Sequence, residues 1–257
     1  MNEQFDRQNE AGVRLNKWIA ESGFCSRREA DRLISEGKVT IDGRTGVLGD
    51  KVLPGMKVRV DGREAVVKTK KVYIALNKPA GVVCTADPRE PMNVVDYVGH
   101  PERIFPIGRL DKDSEGLLLM TKDGEIVNRI LRAAGGHEKE YVVTVNKVIT
   151  DDFLKQMAEG VPILDTVTLP CRIIKEDKQR FRIILVQGLN RQIRRMCEAL
   201  GYRVIALKRV RIMNIKLGDL KEGAWRRVEG KEREMLNQLL ASSSSLSVKD
   251  RMKQHGK

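Results

Sequence analysis

Ile107-Gly108-Arg109-Leu110-Asp111-Lys112-Asp113-Ser114-Glu115-Gly116-Leu117-Leu118-Leu119-Met120-Thr121-Lys122-Asp123-Gly124 sets an arginine and an aspartate two residues apart, just ahead of an apolar run. If the residues after Pro106 are extended, side chains alternate with period two, so Arg109 and Asp111 share a face while Leu110 points into packing. One acid and one base then face the same space, an arrangement that can hold a carboxylate in a dry cleft. Desolvation would raise the pKa of such a carboxylate unless a cation keeps it ionised. Taken alone, R-x-D ahead of leucines is more often a surface turn with a solvated acid, so the rest of the chain has to decide.

On both sides of this stretch the pattern is regular. From Val72 onward the strand-like runs VYIAL, YVVTV, CRIIK and FRIILV alternate with helical stretches around 125–132, 150–159 and 192–200. That alternation predicts an α+β domain with a large mixed, mainly antiparallel sheet. Upstream, the pattern is helical from Val13: Leu15, Trp18 and Ile19 recur at i, i+3 and i+4, and Gly23 can stop the helix in a left-handed conformation. Ser26 and Glu29 form an S-x-x-E capping box for a second helix, with Ala30, Leu33 and Ile34 as its apolar face and Gly37 at its end. Residues 38–41 and 57–60 alternate, and Asp42-Gly43 and Asp61-Gly62 are hairpin turn signals. The charged segment 63–71 reads as a linker between a small domain at 12–62 and a larger one at 72–240. The ends, 1–11 and 241–257, are polar or Ser-rich and unpatterned, and are expected to be disordered.

The chain has 257 residues, with 48 Lys and Arg against 35 Asp and Glu, a net charge of +13. Such a balance favours a polyanionic partner, because each neutralised phosphate releases condensed counterions; a merely solubilising surface is the plainer explanation. Cys25, Cys84, Cys171 and Cys197 lack C-x-x-C spacing, and His100, His137 and His255 are equally dispersed. Neither a zinc site nor a disulfide framework is indicated. No apolar run is long enough to span a bilayer, and the polar start lacks the hydrophobic region of a signal peptide, so a cytosolic monomer without membrane contact is expected.

The run GRLDKDSEGLLLMTKDG resembles the signature of the RsuA-like pseudouridine synthases, and the resemblance makes Asp111 the essential catalytic residue. Three further segments match in order. In Leu76-Asn77-Lys78-Pro79-Ala80-Gly81 the proline and glycine would shape a turn beside the cleft, with Lys78 able to reach a phosphate. In Lys139-Glu140-Tyr141-Val142-Val143-Thr144-Val145, Tyr141 would stack on the target base and its hydroxyl could take part in proton transfer. In Val186-Gln187-Gly188-Leu189-Asn190-Arg191-Gln192-Ile193-Arg194-Arg195-Met196-Cys197, Arg194 would pair with Asp111 and Ile193 would line the uracil pocket, with Arg191 as a further substrate contact. This run departs from the family at Leu189, where relatives often carry arginine. Arg109 resembles the residue that fills the space a flipped nucleotide leaves. The basic stretch 203–216, without an acid, would extend the positive cleft wall.

HEKEYVVTV and VQGLNRQIRRMCE are most similar to the RluF-type enzymes, which implies uridine isomerisation in 23S ribosomal RNA of the large subunit, or of its assembly particle, with tRNA as a further possible substrate. The family's reaction needs no cofactor and no metal. Attack on the sugar, attack on the base and a glycal route all remain open. The N-terminal run RLNKWIAESGFCSRREADRLISEGKVTIDG resembles the alpha-L, or S4-type, RNA-binding domain, which makes Arg14, Lys17, Arg27, Arg28 and Arg32 candidate phosphate contacts. Two other classes compete: a non-catalytic ribosome-binding protein, which would have had to lose Asp111, Tyr141 or Arg194, and a nucleoside glycosidase using the Asp111 and Glu115 carboxylates.

Overall fold

The computed structural model describes residues 12–67, 71–131 and 136–242. They fall into two compact units that divide between Lys71 and Val72. Of the ends expected to be disordered, 1–11 and 243–257 lie outside this set, while Ala241 and Ser242, counted in the tail, are the last residues of a helix.

In chain order the first unit contains β1 (Val13–Arg14), α1 (Leu15–Glu21), α2 (Arg27–Ser35), β2 (Val39–Ile41), β3 (Arg44–Thr45), β4 (Lys51–Val52), β5 (Val58–Val60) and β6 (Arg63–Glu64). Val13 does not open a helix, because Val13 and Arg14 pair antiparallel with Val52 and Lys51 before α1 begins. Leu15 and Ile19 of α1 pack on Ala30, Leu33 and Ile34 of α2 and on the inward valines of β2 and β5. Ser26 caps α2 by accepting from the Glu29 amide at 3.1 Å. The return half of the capping box is replaced: Glu29 accepts from Arg32 at 3.0 Å.

Both hairpins turn as their sequences require. Asp42 and Gly43 sit at φ 49° and 86°, and Asp61 and Gly62 at 46° and 74°, the left-handed pair of a type I′ turn. The second hairpin corrects the linker boundary. Arg63 and Glu64 pair with Val60 and Arg59, and Ala65 is buried while its carbonyl accepts from the Trp18 indole at 2.9 Å. Residues 63–65 therefore belong to this unit, with Ala65 in its core, because the Asp61-Gly62 turn folds them back onto β5.

The second unit contains β7 (Tyr73–Lys78), α3 (Val94–Val98), β8 (Phe105–Pro106), β9 (Glu115–Thr121), α4 (Gly124–Leu131), β10 (Lys139–Val145), α5 (Asp151–Glu159), β11 (Pro162–Ile163), β12 (Thr166–Val167), β13 (Arg172–Asp177), β14 (Arg180–Leu185), α6 (Gln192–Ala199), β15 (Val204–Ile212), β16 (Ile215–Lys216), β17 (Trp225–Arg227) and α7 (Gly230–Ser242). The main sheet is nine-stranded, ordered β13-β14-β10-β15-β9-β7-β17, with β16 added on β15 and β8 on β9. Its only parallel pair among the described strands is β15 with β9, so the sheet is mixed and mainly antiparallel and the fold is α+β.

The apolar runs of β7 and β9 do not alternate because both faces of these strands are covered. Tyr73, Ala75, Leu117 and Leu119 pack toward Ile126 and Ile130 of α4 and Leu236 and Leu240 of α7. Ile74, Leu76, Leu118 and Met120 pack toward Val94 and Val98 of α3. A third cluster joins Val143 and Val145 of β10 and Phe181 and Ile183 of β14 to Phe153 and Met157 of α5 and Met196 of α6. The stretch 203–216, expected as an open basic wall, is mostly the strand β15 at the centre of the sheet. Arg211 is tied to Glu140 at 2.6 Å and Glu138 at 2.8 Å, and Arg209 is buried. The acids that neutralise this stretch lie on the neighbouring strand, out of reach of a local reading. Among the described residues no helix is long and apolar enough to cross a membrane.

Candidate active site

The loop between β8 and β9 lies against the residues that lead into α6, and a cavity of about 430 Å³ opens beside it. Asp111, Arg109, Tyr141, Arg191 and Ile193 all line this cavity. The period-two reading of the loop holds: Leu110 is buried, while Asp111 is partly exposed and Arg109 exposed.

Backbone contacts fix the loop from several sides. The Leu110 amide meets the Cys84 Sγ at 3.3 Å, the Gly81 amide donates to the Lys112 carbonyl at 2.7 Å, and the Ser114 amide donates to the Asp111 carbonyl at 3.1 Å. The turn after β7 is thus a support for the catalytic-candidate loop. Lys78, expected as a phosphate contact, belongs to that support instead. It is completely buried, and its ammonium donates to the carbonyls of Pro79 at 2.7 Å and Val82 at 2.8 Å. Burial holds its pKa below the ordinary lysine value, opposed by Cys84, Asp113, Asp111 and Glu115. A lysine so enclosed cannot reach RNA.

Two guanidinium groups face Asp111. Its Oδ2 lies 3.5 Å from Arg191 Nη1 and 3.8 Å from Arg194 Nε. Arg194 is the more enclosed of the two, with 13% of its side chain exposed against 43% for Arg191. Its Nη2 is held by the Ser114 hydroxyl at 3.1 Å and by Asp113, at 3.2 Å to both the carbonyl and the carboxylate. The Arg194 Nε is buried without a hydrogen-bond partner, which leaves its donor capacity directed toward the carboxylate it approaches. Arg191 sits at φ 49° as the residue before α6, an unusual conformation for a side chain of this size and one that clusters at functional sites. From there it also reaches Asp113 at 3.4 Å. Sequence reasoning chose Arg194 as the partner; the structure brings both arginines to Asp111, with Arg191 slightly nearer.

Tyr141 is partly buried on β10, opposite Arg209 of β15. Ile193 is buried at the start of α6. Leu189, the departure from the family pattern, packs against the third core cluster and contributes apolar lining. Two further cations line the cavity: Lys139, which sequence reasoning missed, and Arg209, foreseen only as part of a basic cleft wall. Both lie on strands at inward positions; a cation on the apolar face of a strand is the signal that could have marked them. Among the described residues no three of His, Cys, Asp and Glu converge as a metal site would.

In the first unit, Arg14, Arg27 and Arg28 are exposed and form no ion pair among the described residues. Lys17 approaches Glu21 at 3.6 Å. Arg32 is held between Glu29 and Glu36, so its charge is neutralised locally and it is the weakest of the five as a phosphate contact.

An α+β unit whose carboxylate lines a cavity and lies within 4 Å of two arginines, following a small helix-helix-sheet unit, has close relatives. Residues 72–199 match the family model of RNA pseudouridylate synthases, and residues 13–60 match the S4 domain. The dual-specificity RNA pseudouridine synthase RluF of Escherichia coli strain K12 is 53% identical over 92% of this chain and 82% of its own length. The ribosomal large subunit pseudouridine synthase B of Bacillus subtilis strain 168 is 37% identical over 82% of this chain and 89% of its own. A crystal structure of a pseudouridylate synthase superposes with a TM-score of 0.64 at 27% identity, covering 88% of this chain and 99% of that one. The chain belongs to the RluF-type RNA pseudouridine synthases. It is accordingly an isomerase with an RNA-binding S4 domain.

Proposed function

We propose that the chain converts a specific uridine of 23S ribosomal RNA to pseudouridine, with Asp111 as the catalytic carboxylate acting on a flipped-out nucleotide. The observation that carries this reading is the position of Asp111 at the cavity, between Arg191 and Arg194. Pseudouridine formation breaks the bond from ribose C1′ to uracil N1 and rejoins the ring through C5. It needs one nucleophile or base and a base-shaped pocket. Asp111 supplies the first, by attacking the sugar or the ring or by taking the 2′ proton.

Tyr141 stacks on the uracil and Ile193 closes the apolar side of the pocket. Arg109, exposed at the rim, enters the helical space that the nucleotide vacates, and its guanidinium offsets part of the few kcal/mol that unstacking costs. Arg14, Arg27 and Arg28, with Lys17, hold RNA phosphates and set position without reading sequence. Choice of the large-subunit RNA draws support from the name of the Bacillus subtilis relative. The word dual-specificity in the Escherichia coli relative's name favours a second RNA substrate, for which tRNA is the candidate.

Purified chain incubated with unmodified 23S ribosomal RNA, with large-subunit assembly particles and with tRNA transcripts, followed by chemical mapping of pseudouridine, tests this directly. One new site in 23S RNA is expected. Modification confined to tRNA would refute the ribosomal assignment while leaving the chemistry in place.

A further inference from the structure

The cavity holds two cations that the reaction as described does not use. Arg209 is 3% exposed and Lys139 8% exposed, and both line the cavity. Neither forms an ion pair with a carboxylate among the described residues. Arg209 spends two of its nitrogens on the fold: Nε donates to the Leu117 carbonyl at 2.7 Å, and Nη1 reaches the Arg109 carbonyl at 3.5 Å. Its third nitrogen, Nη2, is buried with no hydrogen-bond partner. A charged donor left unpaired in an interior is costly unless something else satisfies it.

The backbone is arranged to put this guanidinium where it is. Along the pairing of β10 with β15, Glu140 faces Arg211 and the next residue, Tyr141, faces Arg209, so Val210 is skipped as a bulge. Without that bulge Val210 would stand opposite Tyr141. Bulges next to active sites commonly re-aim a side chain in this way. The result sets the Arg209 guanidinium 5.9 Å from the centre of the Tyr141 ring. On the other side of β15, Arg209 pairs with Gly116 of β9, where a Cβ would fall 2.3 Å from the Arg209 carbonyl oxygen. Only glycine permits that approach. Lys139 adds to the same positive region: burial and the charge of Arg209 push its ammonium down to about 8.

We propose that Arg209, assisted by Lys139, binds a carbonyl oxygen of the flipped uracil and stabilises the negative charge that the base acquires when the C1′–N1 bond breaks. This rests on reading the cavity as the uridine pocket. When that bond cleaves, its electron pair goes to the uracil and spreads over N1, O2 and O4. C1′ is meanwhile taken by the Asp111 carboxylate or passes to a glycal by loss of the 2′ proton. After rotation, C5 bonds to C1′ and returns the pair, and on the glycal route C2′ takes its proton back from the Asp111 carboxyl; C5 gives up its hydrogen and N1 gains one, so the isomer has the composition of the substrate. A uracil oxygen suits the site better than a phosphate. The cations are buried and share the cavity lining with Ile193, Leu207 and Ile212, an apolar enclosure that suits a planar base better than a hydrated phosphodiester. Fixed donors aimed at developing charge contribute most where water is excluded.

Leaving-group dependence tests the proposal. Single-turnover rates at saturating enzyme are measured for wild type, Arg209→Gln and Lys139→Met, on RNA carrying uridine or 5-fluorouridine at the target, by chromatography of the digested nucleosides. They are scored as loss of the starting nucleoside, because fluorine at C5 cannot be given up as a proton and the fluorinated base stops once C5 has bonded to C1′ and its N1=C6 bond has taken up water. Fluorouracil departs as a more stable anion and needs less help. Arg209→Gln is expected to lose about 100-fold on uridine but only about tenfold on 5-fluorouridine. Lys139→Met follows the same pattern with smaller losses, and it carries the test if Arg209→Gln melts far below wild type. Equal fractional losses on the two bases in both variants would overturn the proposal in favour of a structural role. Normal saturated rates with weakened, less salt-dependent RNA binding would overturn it in favour of a phosphate contact. A wild-type chain that consumes neither nucleoside would instead refute the uridine-pocket reading itself.

Discussion

The two units handle positive charge in opposite ways. In the first, Arg14, Arg27 and Arg28 stand on the surface of a unit whose core is wholly apolar. In the second, Arg194, Arg209, Lys139 and Lys78 are enclosed, each satisfied by carbonyls or carboxylates or left facing the cavity. Surface cations interact with RNA through water and are screened by salt, which suits affinity and position. Enclosed cations act at short range on a bound group, which suits chemistry. The difference predicts that substitutions in the two units will separate binding from rate.

The largest effect is expected from Asp111→Asn, which should reduce turnover to background while RNA binding persists, because an amide neither attacks nor takes a proton. Arg194→Ala comes next, with a rate loss of about 10²–10³-fold and a nearly unchanged dissociation constant. A comparable loss of affinity would instead move Arg194 to the binding side of the comparison. Tyr141→Ala should weaken binding by the value of one base-aromatic stack, about 1–3 kcal/mol, and also slow the reaction. Tyr141→Phe should keep the affinity and slow the chemistry if the hydroxyl carries a proton; an unchanged rate would reduce Tyr141 to a stacking platform.

In the first unit, replacing Arg14, Arg27 and Arg28 together by alanine should weaken binding by about tenfold or more and flatten the salt dependence by about three phosphate contacts. Arg32→Ala should do much less, because Glu29 and Glu36 already neutralise it. A salt series on both variants checks this ordering.

The smallest effect concerns stability. Lys139 falls from 10.5 in the unfolded chain to about 8 in the folded one, so burying its charge costs stability below pH 8. That cost fades as the pH rises through 8 toward 10.5, where the folded state sheds the proton first. Lys139→Met should therefore be more stable than wild type near neutral pH, by roughly 1–3 kcal/mol, and should lose this advantage by pH 10.5. Melting curves at several pH values would expose the opposite trend.

Much of this division was legible in the sequence where local chemistry decides. Asp-Gly pairs gave both hairpins, Ser26 gave its cap, and the runs VYIAL, YVVTV, CRIIK and FRIILV gave four strands of the main sheet. Asp111, Arg191 and Arg194 stood out by motif, and the structure brings each of the two arginines within 4 Å of Asp111. What escaped were cations satisfied from a distance. Lys78 reads as a solvated lysine until its carbonyl partners in the following turn close over it. β15 reads as a basic surface because Arg209 and Arg211 interrupt its apolar pattern, and their partners lie on β9 and β10. The bulge at Val210 depends on strand pairing that no local pattern encodes.

The division of labour is tested most directly by tritium release from C5 of the target uridine, under single-turnover conditions and with enzyme titrated to saturation. Two variants are compared with wild type: Asp111→Asn, and the triple replacement of Arg14, Arg27 and Arg28 by alanine. The triple variant is expected to need more enzyme yet reach the wild-type rate at saturation, while Asp111→Asn binds normally and releases nothing. Tritium release by Asp111→Asn at saturation, or a triple variant that stays slow however much enzyme is added, would contradict the assignment of chemistry to the cavity and of affinity to the S4 surface.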